Sequence, residues 1–465
     1  MKTDLDREFA RCLDATDRAL AEIPVPAFER VRRSYRRRSA MLAFAATVIV
    51  VGVPAVLGIL PGPESDPVTD LPVIPDTGIT VVTAPDTGVA PDGAVFVWTR
   101  IEDPALGGEG TQAISTMTHT PNGLLAGGHD GSDAAVWTSV DGREWHRVAD
   151  EAGVFGSGSS PFGAQGRRTI GGFASLGTRT IAFGTECGDF SKPVVVCFGV
   201  VWITDDGETW DRTTTHDGAM PITGEWVWWG EWEGDFAAGR IGMTAAATTD
   251  LGFVVVGDGI WTSPNGLEWD RQEMVGTDLF DILATDDGLL LVGEDDGSAA
   301  AWKSQYGRVW QPATVEMGSD AGVGLASTRF SSVVAVDNGF VAVGSHARDY
   351  GFDVAFWQSA DGADWNLTRI GTWGLHEDMN GVVAIGSTVI AVGSEAYTGG
   401  RAAVWTSGDG GLTWIKVPNT DGVFGHFDSE QFPSGAHTVI TVDDRIVVGG
   451  HNAGDAGVWI AERQP

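Results

Sequence analysis

The chain has 465 residues, among them 65 Gly and 19 Trp, and its 29 Lys/Arg against 63 Asp/Glu leave a formal net charge of −34. That length admits several average domains or one large all-β domain. So acidic a field excludes nucleic acid and anionic lipid surfaces as partners and attracts cations or basic partners.

The charge is unevenly spread. Residues 1–38 hold ten Lys/Arg and seven Asp/Glu, whereas the chain beyond residue 60 holds 19 and 56. In residues 4–22, Leu5, Phe9, Leu13 and Leu20 share one face at helical spacing, which predicts an amphipathic helix broken by Pro24 and Pro26. Six arginines follow within Arg30–Arg38. Residues 39–60 carry no charge and, as a helix, are long enough to cross about 30 Å of hydrocarbon. The segment lacks an evident small-residue cleavage site and reads as an anchor rather than a signal peptide. Its arginine flank places the N-terminal side in the cytoplasm. Residues 61–92 are rich in Pro, Thr, Asp and Gly, with the near-duplicates IPDTG and APDTG, and predict an extended stalk. The expected organisation is therefore a cytoplasmic tail (1–38), a single transmembrane helix (39–60), a stalk (61–92) and an extracytoplasmic domain (93–465). The tail helix offers a docking face for a cytoplasmic protein partner.

The large domain is repetitive. The stretch AAVWTSGDGGLTWIKV at 402–417 has weaker copies beginning at residues 135, 200, 259, 300 and 355. Each full copy pairs two tryptophans. The first set is Trp137, Trp202, Trp261, Trp302, Trp357, Trp405 and Trp459, and the second is Trp98, Trp145, Trp210, Trp269, Trp310, Trp365 and Trp414. An apolar run ending in Gly precedes each first Trp, and another alternating run precedes most of those. About four short strands per unit, repeated seven times, predict an all-β, seven-bladed β-propeller. The last unit lacks its outermost strand, and residues 94–101 match that strand. They are expected to pair with the last blade and close the ring, which removes the exposed edge of an open array.

The turn between the paired tryptophans is most complete at Ser407, Asp409, Gly411, Thr413 and Trp414. Copies around Asp141, Asp206 and Asp361 are one residue shorter, and Asn265 and Tyr306 replace the Asp elsewhere. This pattern resembles the Asp-box, or BNR repeat, of sialidase-like propellers. The resemblance implies structural roles: the Asp bonds local N–H groups, the Gly accepts positive φ, and the Trp packs between blades. Sialidases of that family also use an arginine triad, a Tyr nucleophile supported by Glu, and an Asp acid/base. Here the position of their Arg-Ile-Pro motif reads Arg100-Ile101-Glu102, and no arginine triad is assignable. A non-catalytic binding propeller is the expectation, with an extracytoplasmic glycoside hydrolase as the alternative.

Two features converge on the face opposite those turns. Alignment on Gly127, Gly184, Gly257, Gly293, Gly344, Gly393 and Gly449 places His129, Glu186, Gly259, Asp295, His346, Glu395 and His451 two residues on. Such a ring suits a polar ligand or a divalent cation, or it bonds to neighbouring backbone; no metal site is assigned from it. The insertion 216–239 holds Trp226, Trp228, Trp229 and Trp232 with Glu225, Glu231, Glu233 and Asp235, and the loops 153–162 and 422–432 resemble one another. Aromatic faces beside carboxylates suit sugar rings or cationic ligands, or they pack over a gap between blades. Cys187 and Cys197 flank a loop and are expected to form a disulfide outside the membrane. No cofactor fingerprint is present. The ligand expected is an envelope glycan, peptide or protein.

Overall fold

The computed structural model describes residues 87–89, 95–150, 153–156, 166–188, 194–195, 197–213, 226–227, 243–257, 259–274, 277–316, 328–348, 351–371, 377–395, 400–419, 422–425 and 434–463. All belong to one compact unit, Val82–Pro465. The expected tail and span, and the stalk as far as residue 86, lie outside the described residues. Among those described, no helix is long and apolar enough to cross a membrane.

The alternating runs fold into seven antiparallel sheets arranged as a propeller. In blade 1 the strands, termed a to d in chain order, are Gln112–Thr120, Gly123–Asp130, Asp133–Ser139 and His146–Arg147. The order recurs from Arg167 to Arg212 (blade 2), Met243 to Gln272 (blade 3), Thr277 to Pro312 (blade 4), Thr328 to Gly371 (blade 5), Glu377 to Lys416 (blade 6) and Ser434 to Arg463 (blade 7). Strand d of blade 7 comes from the other end of the domain. Val95–Arg100 pairs antiparallel with Asp455–Arg463, setting Trp98 opposite Ala461 and Arg100 opposite Trp459. Thr87–Val89, within the segment expected to be stalk, adds a fifth strand outside Val95–Arg100. Blade 5 is also covered, by Thr314–Glu316 running parallel to Asp364–Asn366. Both additions cover strand edges that would otherwise invite pairing with another chain.

Packing proves the closure independently. Each blade buries both faces, so the core divides into clusters lying between successive blades. There are seven such clusters, and one joins blade 7 (Val447, Val458, Ile460) to blade 1 (Ile114, Leu124, Trp137). An open array would have one interface fewer. The strand-c tryptophans sit at the centre of these clusters, with Trp137, Trp202, Trp357, Trp405 and Trp459 fully buried. Each removes roughly 200 Å2 from water, on the order of 5 kcal/mol of gross driving force before chain entropy is subtracted.

Candidate ligand-binding face

Antiparallel order fixes which connections share an end of the blades. The a–b and c–d turns emerge at one end, here the turn face. The b–c turns and the links between blades emerge at the other, the loop face. The turn face is tight, with a–b connections such as 121–122 and 443–444. The strand ends joined by the long connections 148–166, 213–242, 313–327 and 417–433 lie on the loop face.

Register reassigns part of the expected ring. In every blade strand a bulges near the loop face, and one glycine of strand b lies opposite. A Cβ on Gly128, Gly184, Gly293, Gly344, Gly393 or Gly450 would stand between 1.9 and 2.2 Å from a strand-a carbonyl oxygen, so these positions admit only glycine. In blades 1 and 7 the equivalent residue is therefore Gly128 or Gly450, the second of each doublet. Two residues on stand Asp130, Glu186, Gly259, Asp295, His346, Glu395 and Asn452. His129 and His451 fall one residue short. Because side chains alternate across a strand, they project from the opposite sheet face to Glu186 and Glu395. His451 instead stacks on His437, with Nε2 of His437 and Nδ1 of His451 2.8 Å apart.

The residues that do share the position are tied inside their own blades. Glu186 accepts from Arg168 Nε at 3.0 Å and from Arg212, and Arg168 also reaches Asp133 at 3.1 Å on blade 1. The Arg168 and Glu186 side chains are essentially inaccessible. Asp130 accepts from Gln112 Nε2 at 2.8 Å and pairs with Arg147 at 2.8 Å. Glu395 pairs with Arg401 and Lys416, and Lys416 Nζ also lies 2.6 Å from Glu377. Glu377 and Glu395 face one another in the ladder. His346 is buried opposite Asp353 and Thr328, and Asp295 is exposed opposite Thr277 and Ser298. A strand-b carboxylate thus reaches a strand-d cation across strand c in blades 1, 2 and 6. In blade 3 Gly259 takes the carboxylate's place, and Arg271 lies over the Trp261 ring, 5.5 Å from its centroid.

Sequence reasoning passed over these cations, although they have a signal. Trp-x-Arg or Trp-x-Lys recurs at Trp98/Arg100, Trp145/Arg147, Trp210/Arg212, Trp269/Arg271 and Trp414/Lys416. Register sets all five cations opposite the strand-c tryptophans of the same blades. A second missed contact bridges blades: Arg329 clasps Asp378 through bonds of 2.8 and 2.6 Å and lies near the rings of Phe280 and Phe352. Among the described residues, no group of three or more His, Cys, Asp or Glu is arranged to hold a metal ion.

Two of the aromatic loops pack inward where they are described. In 153–156 and 422–425, the carbonyls of Val154 and Val423 accept from the indoles of Trp202 and Trp459 at 2.8 and 2.7 Å. Phe155 and Phe424 are buried against Trp202 and Trp98. Asp150 and Asn419 hold the two loops by accepting backbone N–H bonds. Their shared Gly-Val-Phe-Gly sequence is a plug over a gap between blades. In the insertion, the backbone of Trp226 pairs with Val195. Trp228, Trp229 and Trp232 lie outside the described residues. Cys187 is disulfide-bonded, and Cys197 stands opposite it in the ladder.

The recurring Asp-Gly turns lie on the other face and are locally bonded. In six of them a Ser or Thr oxygen accepts the N–H of the turn glycine, at 2.8 to 2.9 Å. Those glycines all have positive φ. The indoles of Trp145, Trp210, Trp269, Trp365 and Trp414 donate back to their carbonyls. Asp206 accepts from the backbone N–H groups of Thr209 and Glu208, which bring its carboxyl down to about 2. Asp141 and Asp361 are lowered by the same kind of bond, from Arg143 and Ala363 first. In Asp409 desolvation works the other way, and the bonds from Thr413, Ser407 and Leu412 outweigh it.

No family model and no curated protein matches the chain. Solved structures do resemble it. YCF48 bound to D1 peptide is 12% identical with a TM-score of 0.46, covering 80% of this chain and 96% of that one. An α-L-arabinanase of Penicillium chrysogenum complexed with arabinobiose is 11% identical with a TM-score of 0.41, covering 78% and 98%. A variant α-L-arabinofuranosidase from Fusarium graminearum, in complex with an iminosugar inhibitor, is 12% identical with a TM-score of 0.41, covering 82% and 98%.

Proposed function

We propose that this protein is a membrane-anchored recognition module of the cell envelope, and that its propeller binds a glycan, peptide or protein through the loop face. One observation carries the reading: the two faces are built differently. Tight turns, bonded to themselves, close one end. The long links between blades start and finish at strand ends on the other side, where the described strand Trp226–Val227 of the insertion pairs with Val194–Val195. Variable loops on a stiff scaffold are where binding residues concentrate. The uncharged segment 39–60 with its arginine flank supports an anchor with the propeller outside. A disulfide-bonded Cys187 suits an oxidising compartment. The self-bonded turns support their reading as Asp-boxes.

A thermal-shift panel on the full chain tests this, using envelope glycans and peptides. A saturable shift that vanishes in Trp228→Ala/Trp229→Ala supports the loop face as the binding surface. A ligand that shifts wild type and this variant equally sinks that assignment. The second reading is a glycoside hydrolase, whose chemistry needs a carboxylate pair open to substrate; Glu377 and Glu395, buried and paired with Lys416, do not supply it. Turnover of a glycoside by the purified full chain would establish it.

A further inference from the structure

We infer that the turn face carries a second docking site, a groove between blades 2 and 3 that takes a basic peptide segment of a partner protein bearing an apolar side chain. The starting point is where apolar surface remains exposed. Among the described residues, the exposed large hydrophobics are Val140, Leu176, Leu251, Leu267, Tyr306, Val309, Leu412 and Ile415. All but Ile415 lie in turn-face turns or at their margins, and Ile415 directly follows such a turn. Scattered exposed apolar residues are ordinary, but Leu267 stands beside a concavity.

Blades 2 and 3 add a concavity to that surface. An open groove of about 580 Å3 lies between the blade 2 turn and the blade 3 turn. Ile203 and Leu267 are its apolar part, and Asp205, Asp206 and Asp211 are among its walls. Its two arginines are engaged. Arg179 clasps Asp205 at 3.0 and 3.2 Å and donates to the Asn265 carbonyl of blade 3, and Arg212 is held by buried Glu186. The neighbouring turns add exposed Glu208, Asp250, Glu268, Asp286 and Asp287. Charge complementarity therefore selects a cationic occupant, and Ile203 with Leu267 selects an apolar side chain within it. This site is distinct from the loop face and stands or falls separately from it.

The test is fluorescence polarisation with the purified full chain and three labelled seven-residue peptides, alternating Lys-Leu, Lys-Ser and Glu-Leu. Lys-Leu is expected to bind most tightly. Leu267→Ser should raise its Kd about fivefold, the scale of one lost, partly exposed apolar contact. Asp211→Asn should raise it about threefold at low salt and little at high salt, as a screened charge contact does. Both positions are exposed, so unchanged melting is expected and is checked alongside. Leu412→Ser on blade 6 should leave binding unaltered. Equal affinity for Lys-Leu and Glu-Leu would overturn the proposal. So would a Leu412→Ser effect as large as that of Leu267→Ser, which would mean adsorption over the whole face.

Discussion

Arg168 shows what one side chain does in this fold. Its guanidinium is buried, binds Glu186 within blade 2 and crosses to Asp133 of blade 1. A buried pair adds little over an apolar replacement of both partners, but removing one partner strands the other. Arg168→Met should therefore destabilise the propeller by about 3 kcal/mol, measured by urea unfolding, with Arg212 still holding Glu186, and Arg168→Met/Glu186→Leu should not recover it, because Arg212 then loses its buried partner. Asp206 behaves differently because it is exposed. Its folded pKa of about 2 lies below the ordinary 3.8. The stabilisation is thus complete above about pH 4 and drains away as pH falls towards 2. Asn265 shows how to isolate this effect: its side-chain oxygen accepts from Leu267 and Glu268 much as Asp206 accepts in blade 2. Asp206→Asn should keep the turn, lower stability at neutral pH slightly, and flatten the acid limb in a melting-temperature series from about pH 5 to about pH 2.

At the scale of one element, Val95–Arg100 does more than its length suggests. It supplies the outer strand of blade 7 and brings Phe96 and Trp98 into the core, where Trp98 meets Phe424 edge-on at 5.4 Å. Without it, Asp455–Arg463 becomes an open edge and that cluster loses two aromatic side chains. Removing residues 1–100 should abolish a single cooperative melting transition and promote aggregation, whereas removing residues 1–81 should leave the transition in place. Scanning calorimetry of the two truncations decides between these outcomes. A cooperative melt of the shorter chain would show that the closing strand is dispensable.

For the whole molecule, the governing fact is a net charge of −34 against a core divided among seven interfaces. Burial holds neighbouring blades together, and the acidic surface pushes them apart. Salt screens the second term and leaves the first largely alone. The melting temperature should therefore rise with NaCl between about 10 mM and about 0.5 M and then level off, since the Debye length shrinks from about 30 Å to a few Å over that range. A melting temperature that falls with salt would mean that ion pairs such as Arg329–Asp378, rather than global repulsion, dominate the electrostatics.

Blade count, the closing strand and the turn chemistry were legible in the chain itself, because each rests on short-range pattern. The paired tryptophans repeat, the orphan strand 94–101 matches the strand missing at the other end, and Asp-Gly turns carry their own hydrogen-bond partners. Spacing also placed Glu186 and Glu395 at one equivalent strand-end position. What spacing could not supply was register. A bulge in strand a, visible only in the ladder, selects Gly128 and Gly450 over their neighbours, and a slip of one residue turns His129 and His451 to the opposite sheet face. Nor could it supply partners. Arg168, Arg212 and Lys416 are far in sequence from the carboxylates they bind, and only the folded blade brings them together. The groove between blades 2 and 3 belongs to the same category, since Ile203 and Leu267 share a surface through the packing of one blade on the next.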